Sequence, residues 1–374
     1  MIKKNILLIA ASALPYHIDK LLSFNGSAKM LTFASYQRPY VAIQKNQPLD
    51  HNDLEILFKN KEIDQVPKIF KKIKIFSSLI QRKEKYIFLS IGGAIRAHDL
   101  EIFFSVIVLR LLRKKVYITF DTNFLDKERS LLIELVKTFF LMPYIGALCS
   151  GPSSASYVRF LGFKKRPVVK FGFNTSDLKR YSQKIAHKPE LRNNLLFIGR
   201  MSEKKNINFL IDVYIKYKKS LGDDALPLRL IGEGPNLQNY KDKVKESGLQ
   251  SIYFLGVKDD QEIGLELSNA RALLVPSLYE EWGFVVNEAV ALSVPVVVSE
   301  NVRAREVLIK QFVNGLIVEP TNLIGWVEAL KMITKNEELY RNLSSPNEDI
   351  KKFADIIAYK EATEILIGHN PSKS

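Results

Sequence analysis

Short apolar runs recur along the chain, separated by stretches of helix length in which apolar and polar positions alternate every three to four residues. In the first half "NILLIA", "KMLTFA", "YIFLSI", "KVYITF" and "GALCS" read as strands, with helices over 98–113 and 127–141 between them. Strands that are apolar throughout, spaced by helices, indicate a parallel sheet covered on both faces. From about residue 190 the pattern restarts with new spacing. "NLLFIG", "LPLRLI", "SIYFLG", "ALLVPS", "PVVVS" and "GLIVE" are the second set of strands, and helices fill the gaps to about residue 336. Two separate doubly wound domains are the simplest account. The polar, turn-prone segment "FGFNTSDLKRYSQKIAHKPELRN" reads as the linker, and "NEDIKKFADIIAYKEATEILIG" as one terminal helix. The expected division is 1–175, 176–345, and a helix with tail over 346–374 packing back toward the first domain. No short-period repeat is visible.

Length and composition agree with this division. The 374 residues suit two cores of ordinary size, and 47% apolar with 25% charged residues describes a soluble globular protein. The net charge of +15 is unevenly placed: residues 1–175 hold 28 Lys and Arg against 13 Asp and Glu, and the remainder holds 27 of each. A uniformly basic nucleic-acid binder would not show this split, so no nucleic-acid partner is expected. A chain that presents one half to anionic lipid or an acidic acceptor would show it. The single cysteine, Cys149, leaves neither an internal disulfide nor a cysteine zinc site. The five histidines lack metal-ligand spacing.

Four apolar stretches bear on membranes. "MIKKNILLIAASALPYH" has the outline of a secretory signal, but "NILLIA" also supplies the first buried strand, and the strand is the reading adopted. "IFFSVIVLRLL" is interrupted by Arg110, and "LLIELVKTFFLMPYIGAL" by Glu134, Lys137 and Pro143, so neither spans a bilayer. "VPKIFKKIKIFSSLIQRK" has apolar residues at helical spacing beside four lysines. It is either an interfacial helix or a core-packed helix with a basic outer face.

Chemistry collects in the loops that follow the strands of the second half, the edge at which parallel sheets bind ligands. These loops read "GRMSEKKN", "GEGPN", "GVKDD" and "LYEEWGF". Arg200 follows one strand directly and Lys205 stands near the next helix, so both can reach one phosphate group and neutralise a leaving diphosphate, with Lys204 an alternative to Lys205. Gly232 and Gly234 would let a ligand approach the backbone, and Pro235 suits the first position of a helix, although a plain strand-to-helix turn explains "GEGP" almost as well. A helix beginning near Gly283 would present the N–H groups of Gly283, Phe284 and Val285 to phosphate oxygens. Glu280 ahead of that helix and Glu288 inside it could each accept two hydroxyl hydrogen bonds.

Residues 194–320 resemble the donor half of retaining glycosyltransferases of family 4, the glycosyl transferases group 1. The resemblance rests on "FIGRMSEKKN", "LIGEGPN", "FLGVKDD", "VPSLYEEWGFVVNEAVALSVPVVVS" and "NGLIVEP", five motifs in order. It implies the α/β GT-B fold, two facing Rossmann-like doubly wound parallel-sheet domains with an interdomain cleft, and a nucleotide-diphosphate sugar as donor with no metal or other cofactor. It further implies that Gly199, Arg200, Lys205 and the start of the Glu288 helix hold the diphosphate, with Glu280 on the sugar and Glu288 on the ribose. Gly232, Gly234, Pro235, Gly256 and Val257 would line the nucleoside site. The first half resembles the family only loosely: "AASALPYHI" stands where a glycine-rich loop is common, and Phe120, before "DTN", where a histidine is common. Tyr16, His17, Gly92, Gly93, His98 and Asp121 are the acceptor-side candidates, with no choice among them. The expected role is transfer to a glycan or lipid-linked acceptor in bacterial envelope assembly, in the cytoplasm or on the cytoplasmic face of the inner membrane. A sugar-nucleotide epimerase of the same architecture and a non-catalytic nucleotide-sugar-binding protein are the alternatives.

Overall fold

The structure, a computed structural model, describes residues 5–12, 15–34, 53–58, 66–90, 99–124, 129–175, 177–178 and 189–368. It divides into two compact units, residues 1–176 with 356–374 and residues 177–355.

The first unit is built on seven parallel strands in the order β3-β2-β1-β4-β5-β6-β7. They are β1 (Ile6–Ser12), β2 (Ala28–Ala34), β3 (Leu54–Phe58), β4 (Tyr86–Ser90), β5 (Lys115–Phe120), β6 (Ala147–Cys149) and β7 (Val168–Val169). Five of these coincide with the apolar runs read from sequence. The two additions are the edge strands, where the signal is weakest. β3 carries the exposed Glu55 as the second residue of "LEILF", and β7 is only two residues long. Between the strands lie α1 (Pro15–Leu22), α2 (Lys68–Ile80), α3 (Leu100–Leu111), α4 (Leu131–Leu141) and α5 (Pro152–Phe160).

The second unit has six parallel strands in the order β10-β9-β8-β11-β12-β13. All six match expected runs: β8 (Asn194–Ile198), β9 (Leu228–Ile231), β10 (Ile252–Phe254), β11 (Ala270–Val275), β12 (Val296–Ser299) and β13 (Gly315–Val318). β11 and β12 are buried at every position, as strands covered on both faces must be. Helices α6 (Ile207–Leu221), α7 (Leu237–Glu246), α8 (Asp260–Ser268), α9 (Val285–Ala291), α10 (Arg305–Leu308), α11 (Leu323–Lys335), α12 (Glu337–Leu343) and α13 (Glu348–Ala354) complete it.

One expectation about the connections needs correction. The terminal segment forms two helices, α13 and α14 (Ile356–Gly368), because the chain turns extended at Asp355, with ψ at 154°. α13 packs in the second unit through Ile350 and Ala354, and α14 in the first through Tyr359, Ala362 and Leu366. The segment read as a linker is anchored at both described ends. Phe173 is buried in the first core, and Gly172, at φ +88°, lies so near α14 that a Cβ would stand 2.6 Å from the Ala358 carbonyl. At the other end the guanidinium of buried Arg192 donates to the carbonyls of Ser268, Leu292 and Ser293. Composition alone does not reveal such anchors.

Candidate active site

In the second sheet, strand order runs outward from β8 through β9 to β10 and then reverses from β8 through β11 to β13. The chain therefore leaves neighbouring strands β8 and β11 in opposite directions, and a crevice opens at their carboxyl ends. Arg200 and Lys205 follow β8, and Glu280 and α9 follow β11. The topology thus brings the cations and the acidic loop to the switch point.

The loops there are knitted together. Glycines end three adjacent strands: Gly199 N–H donates to Ile231 O at 3.0 Å and Gly232 N–H to Gly256 O at 2.8 Å. A Cβ on Gly232, at φ +131°, would stand 1.9 Å from the Gly199 carbonyl oxygen, and one on Gly234 2.4 Å from that of Met201. These two glycines are therefore required by the approach of the β8 and β9 loops to each other, whatever binds above them. Pro235 is not the first residue of a helix. α7 starts at Leu237 with Asn236 as its N-cap, and Pro235 lies in the preceding turn. Val257 is 41% exposed beyond β10.

Asn206 is the residue that pattern reading missed. It adopts a left-handed conformation at φ 56° just ahead of α6, and its side-chain amide donates to Pro276 O at 3.1 Å and Pro320 O at 2.9 Å. One side chain thus ties the β8 loop to the ends of β11 and β13. An asparagine in front of an apolar periodic run is the available signal, since asparagine tolerates this conformation better than most residues.

Lys205 and Glu280 form an ion pair, and Glu280 Oε1 also accepts from Ser277 Oγ at 3.0 Å. Glu280 is buried and its neighbour Glu281 exposed, which separates the two members of the acidic pair. The Glu280 main chain is fixed too: its N–H donates to Asn301 O at 3.2 Å, and its carbonyl accepts from Arg303 N–H at 3.3 Å. Lys204 points elsewhere, with Nζ 4.9 Å from the centre of the Tyr279 ring. Arg200 is exposed, and its guanidinium has no hydrogen-bond or ion-pair partner among the described residues. An exposed guanidinium in the same loop as a fixed ammonium–carboxylate pair is suited to receive an anion.

The helix after β11 starts later than its sequence suggests. Gly283, at φ +100°, turns the chain, Phe284 is the N-cap, and α9 runs from Val285 for seven residues. Its first bonds are Val286 N–H to Gly283 O at 2.9 Å and Asn287 N–H to Phe284 O at 2.9 Å. The half-buried Glu288 lies in its first turn. Trp282 Nε1–H donates to Asn287 Oδ1 at 2.8 Å, and Asn287 in turn donates to Ala354 O at 3.0 Å, which fixes this short helix against α13. Arg303, buried in the adjoining β12 loop, pairs with Glu306 at 3.0 Å, but its Nε and second terminal nitrogen have no hydrogen-bond partner among the described residues.

In the first unit Tyr16 and His17 stand on α1, with ring centres 4.2 Å apart, and Asp121 follows β5. His17 is buried. Gly92, Gly93 and His98 lie outside the described residues. Near His17, Lys20 is also buried, its ammonium 4.1 Å from the Phe173 ring centre and 5.0 Å from that of Tyr359. Burial lowers its pKa to about 7, against the opposing pull of Asp121 and Asp19. Among the described residues no cluster of three or more His, Cys, Asp or Glu could hold a metal ion.

Comparison with known proteins places this geometry. Residues 179–349 match the family model of glycosyl transferases group 1. An uncharacterised glycosyltransferase of Methanocaldococcus jannaschii is 29% identical over 42% of this chain and 42% of its own length. The O-antigen chain mannosyltransferase C of Escherichia coli is 25% identical over 46% of each chain. The chain thus spans less than half the length of these curated relatives. Among solved structures, Anabaena Alr3699/HepE in complex with UDP superposes with a TM-score of 0.72 at 16% identity, covering 97% of this chain and 100% of that one. The two parallel-sheet units are those of the GT-B fold. The second unit, whose switch point carries Arg200, Lys205 and Glu280, is thus the part of the chain that matches the glycosyl transferases group 1.

Proposed function

We propose that the protein transfers a sugar from a nucleotide-diphosphate sugar to an acceptor hydroxyl with retention of anomeric configuration. The observation that carries the reading is the charge arrangement at the β8/β11 switch point. Arg200, without a side-chain partner among the described residues, shares the loop after β8 with Lys205, which is paired with Glu280, and a helix starts in the loop after β11 at the same edge. Arg200 and Lys205 hold the diphosphate, the amides of Gly283 to Val285 add backbone donors, Glu280 meets the sugar and Glu288 the ribose.

In the reaction the acceptor oxygen bonds to the anomeric carbon on the face from which the diphosphate leaves. The carbon–oxygen bond to the diphosphate breaks, and the hydroxyl proton passes to a leaving phosphate oxygen. The products are the glycoside and a nucleoside diphosphate. No metal is required in this scheme, because the fixed cations act on charge that develops in the transition state. Retention itself is supported by the sequence resemblance. UDP in the Anabaena neighbour makes uridine donors the first to try, and the O-antigen relative favours an envelope glycan or lipid-linked acceptor. The basic first unit would bring the enzyme to an anionic membrane, the cytoplasmic face of the inner membrane in a bacterium.

The test is thermal stabilisation by UDP-, GDP- and ADP-sugars, followed by proton NMR of the glycoside formed. A donor at 100 times its dissociation constant adds about 2.7 kcal/mol. An α-linked product from an α-linked donor supports the proposal, and an inverted product overturns retention. Turnover of the nucleotide sugar without acceptor would indicate an epimerase instead.

A further inference from the structure

In the first unit α4 is built inside out. Leu131, Leu132, Ile133, Leu135, Val136 and Phe139 are 44 to 74% exposed, whereas its acid, Glu134, is 5% exposed. The Glu134 carboxylate accepts from Lys137 at 2.8 Å and from the buried Tyr157 hydroxyl, which also accepts from Arg129 at 2.9 Å. Burial opposes ionisation of Glu134, but these hydrogen bonds outweigh it and hold its pKa below the ordinary value. The charges of α4 are thus consumed inward and its apolar residues face out, the reverse of a helix whose outer face meets water.

The apolar face does not stop at α4. Phe139 meets Phe103 of α3 with ring centres 5.2 Å apart, and on α3 Leu100, Phe104 and Leu111 are 54, 52 and 78% exposed along one stripe. Leu111 at the end of α3 and Met142 just after α4 then line a cavity of about 650 Å³ at the amino ends of β5, β6 and β7. This is the end of the sheet opposite its ligand-binding edge. Its polar lining is cationic, from Arg110, Lys115, Lys165 and Arg166. Residues 102–120 and 135–176 contain no Asp or Glu at all.

We propose that this α3/α4 face is the surface by which the protein lies on an anionic bilayer, with the cavity receiving part of a lipid. The inference rests on the reading that the first unit meets a membrane, and it places the contact on α4, with six exposed apolar residues, rather than on α2, where Ile69, Phe70 and Ile73 are 56 to 62% exposed. An apolar strip with cations at its cavity end, and with Glu134 and Glu101 paired to Lys137 and Lys72, complements an anionic leaflet: the strip enters the acyl boundary and the cations meet the headgroups. α4 has eleven residues, and no helix among the described residues is long and apolar enough to cross a membrane. The contact is therefore parallel to the bilayer plane.

The experiment is co-sedimentation of the full chain with phosphatidylcholine vesicles, with and without about one-third phosphatidylglycerol, at low salt. The wild type is compared with Leu131→Gln/Leu132→Gln/Leu135→Gln on α4 and with Ile69→Gln/Phe70→Gln/Ile73→Gln on α2. The wild type should bind the anionic vesicles, and the α4 variant at least roughly tenfold more weakly, because each exposed leucine withdrawn removes an apolar side chain from the lipid. The α2 variant should bind within about twofold of wild type. Unchanged stabilisation by donor nucleotide shows that each variant is folded. An α4 variant that binds like wild type overturns the inference and leaves the membrane reading standing. A wild type that binds no vesicle overturns both. A wild-type dimer that the α4 variant converts to monomer assigns the face to a second copy and overturns the inference.

Discussion

At the scale of single residues, the account depends on Arg200 and Lys205 doing different work. Arg200 is exposed and unpaired, so its removal should leave folding untouched and reduce turnover by roughly 10², the loss typical of one donor to a developing charge. Lys205 is coupled to Glu280. Glu280→Gln should therefore weaken donor binding partly by freeing the ammonium, and the effects of Lys205→Met and Glu280→Gln should fall short of adding in a double-mutant cycle of turnover. Lys20 makes a separate, pH-dependent contribution. Its folded-state pKa of about 7 lies below its unfolded value near 10.5, so between these pH values the unfolded chain binds the extra proton. Stability should rise with pH across that window, and below about pH 7 the full cost of burying the charge is felt. Lys20→Met should flatten the rise in urea unfolding measured from pH 6.5 to 9.5, and an unchanged slope would contradict the assignment.

At the scale of elements, loop connections decide whether the strand ends form a site. Asn206 bonds two carbonyls from separate loops while holding a left-handed conformation. Asn206→Gly keeps that conformation and loses the bonds, whereas Asn206→Ala loses both. Both should raise the donor KM, and Ala should cost about 1 kcal/mol more in chemical denaturation. Gly172→Ala, with its Cβ placed 2.6 Å from the Ala358 carbonyl, should lower Tm by displacing α14.

These elements also show what the sequence displays and what it hides. Every strand of the second sheet was legible, because β8 through β13 are short, mostly apolar runs, and β8, β9 and β10 are followed closely by a glycine. β3 and β7 were not, since one is broken by a charge that faces water and the other is too short to show a period. Arg200, Lys205 and Glu280 stood out as charged residues in strand-end loops. Neither the Lys205–Glu280 pair nor the Asn206 clamp did, because each joins positions far apart in the chain. The glycines of "GEGP" were legible as special, but two backbones approaching each other explain them without any ligand.

At the scale of the whole molecule, the two units divide the charge as they would divide the labour. The second is balanced and carries the edge proposed to bind the diphosphate, while the first holds the whole cationic excess and the outward-facing apolar residues of α4. Salt should separate these roles. Raising ionic strength from about 0.05 to 0.5 M should weaken vesicle binding strongly and donor stabilisation much less, because the partly buried Lys205–Glu280 pair is poorly screened.

The most direct test of the central claim is isothermal titration of the wild type and of Arg200→Ala and Lys205→Met with the nucleoside diphosphate and with the nucleoside alone. The account predicts that both substitutions weaken the diphosphate at least roughly tenfold and leave the nucleoside nearly unchanged, since only the diphosphate meets the cations. Equal affinity of all three proteins for the diphosphate would contradict it.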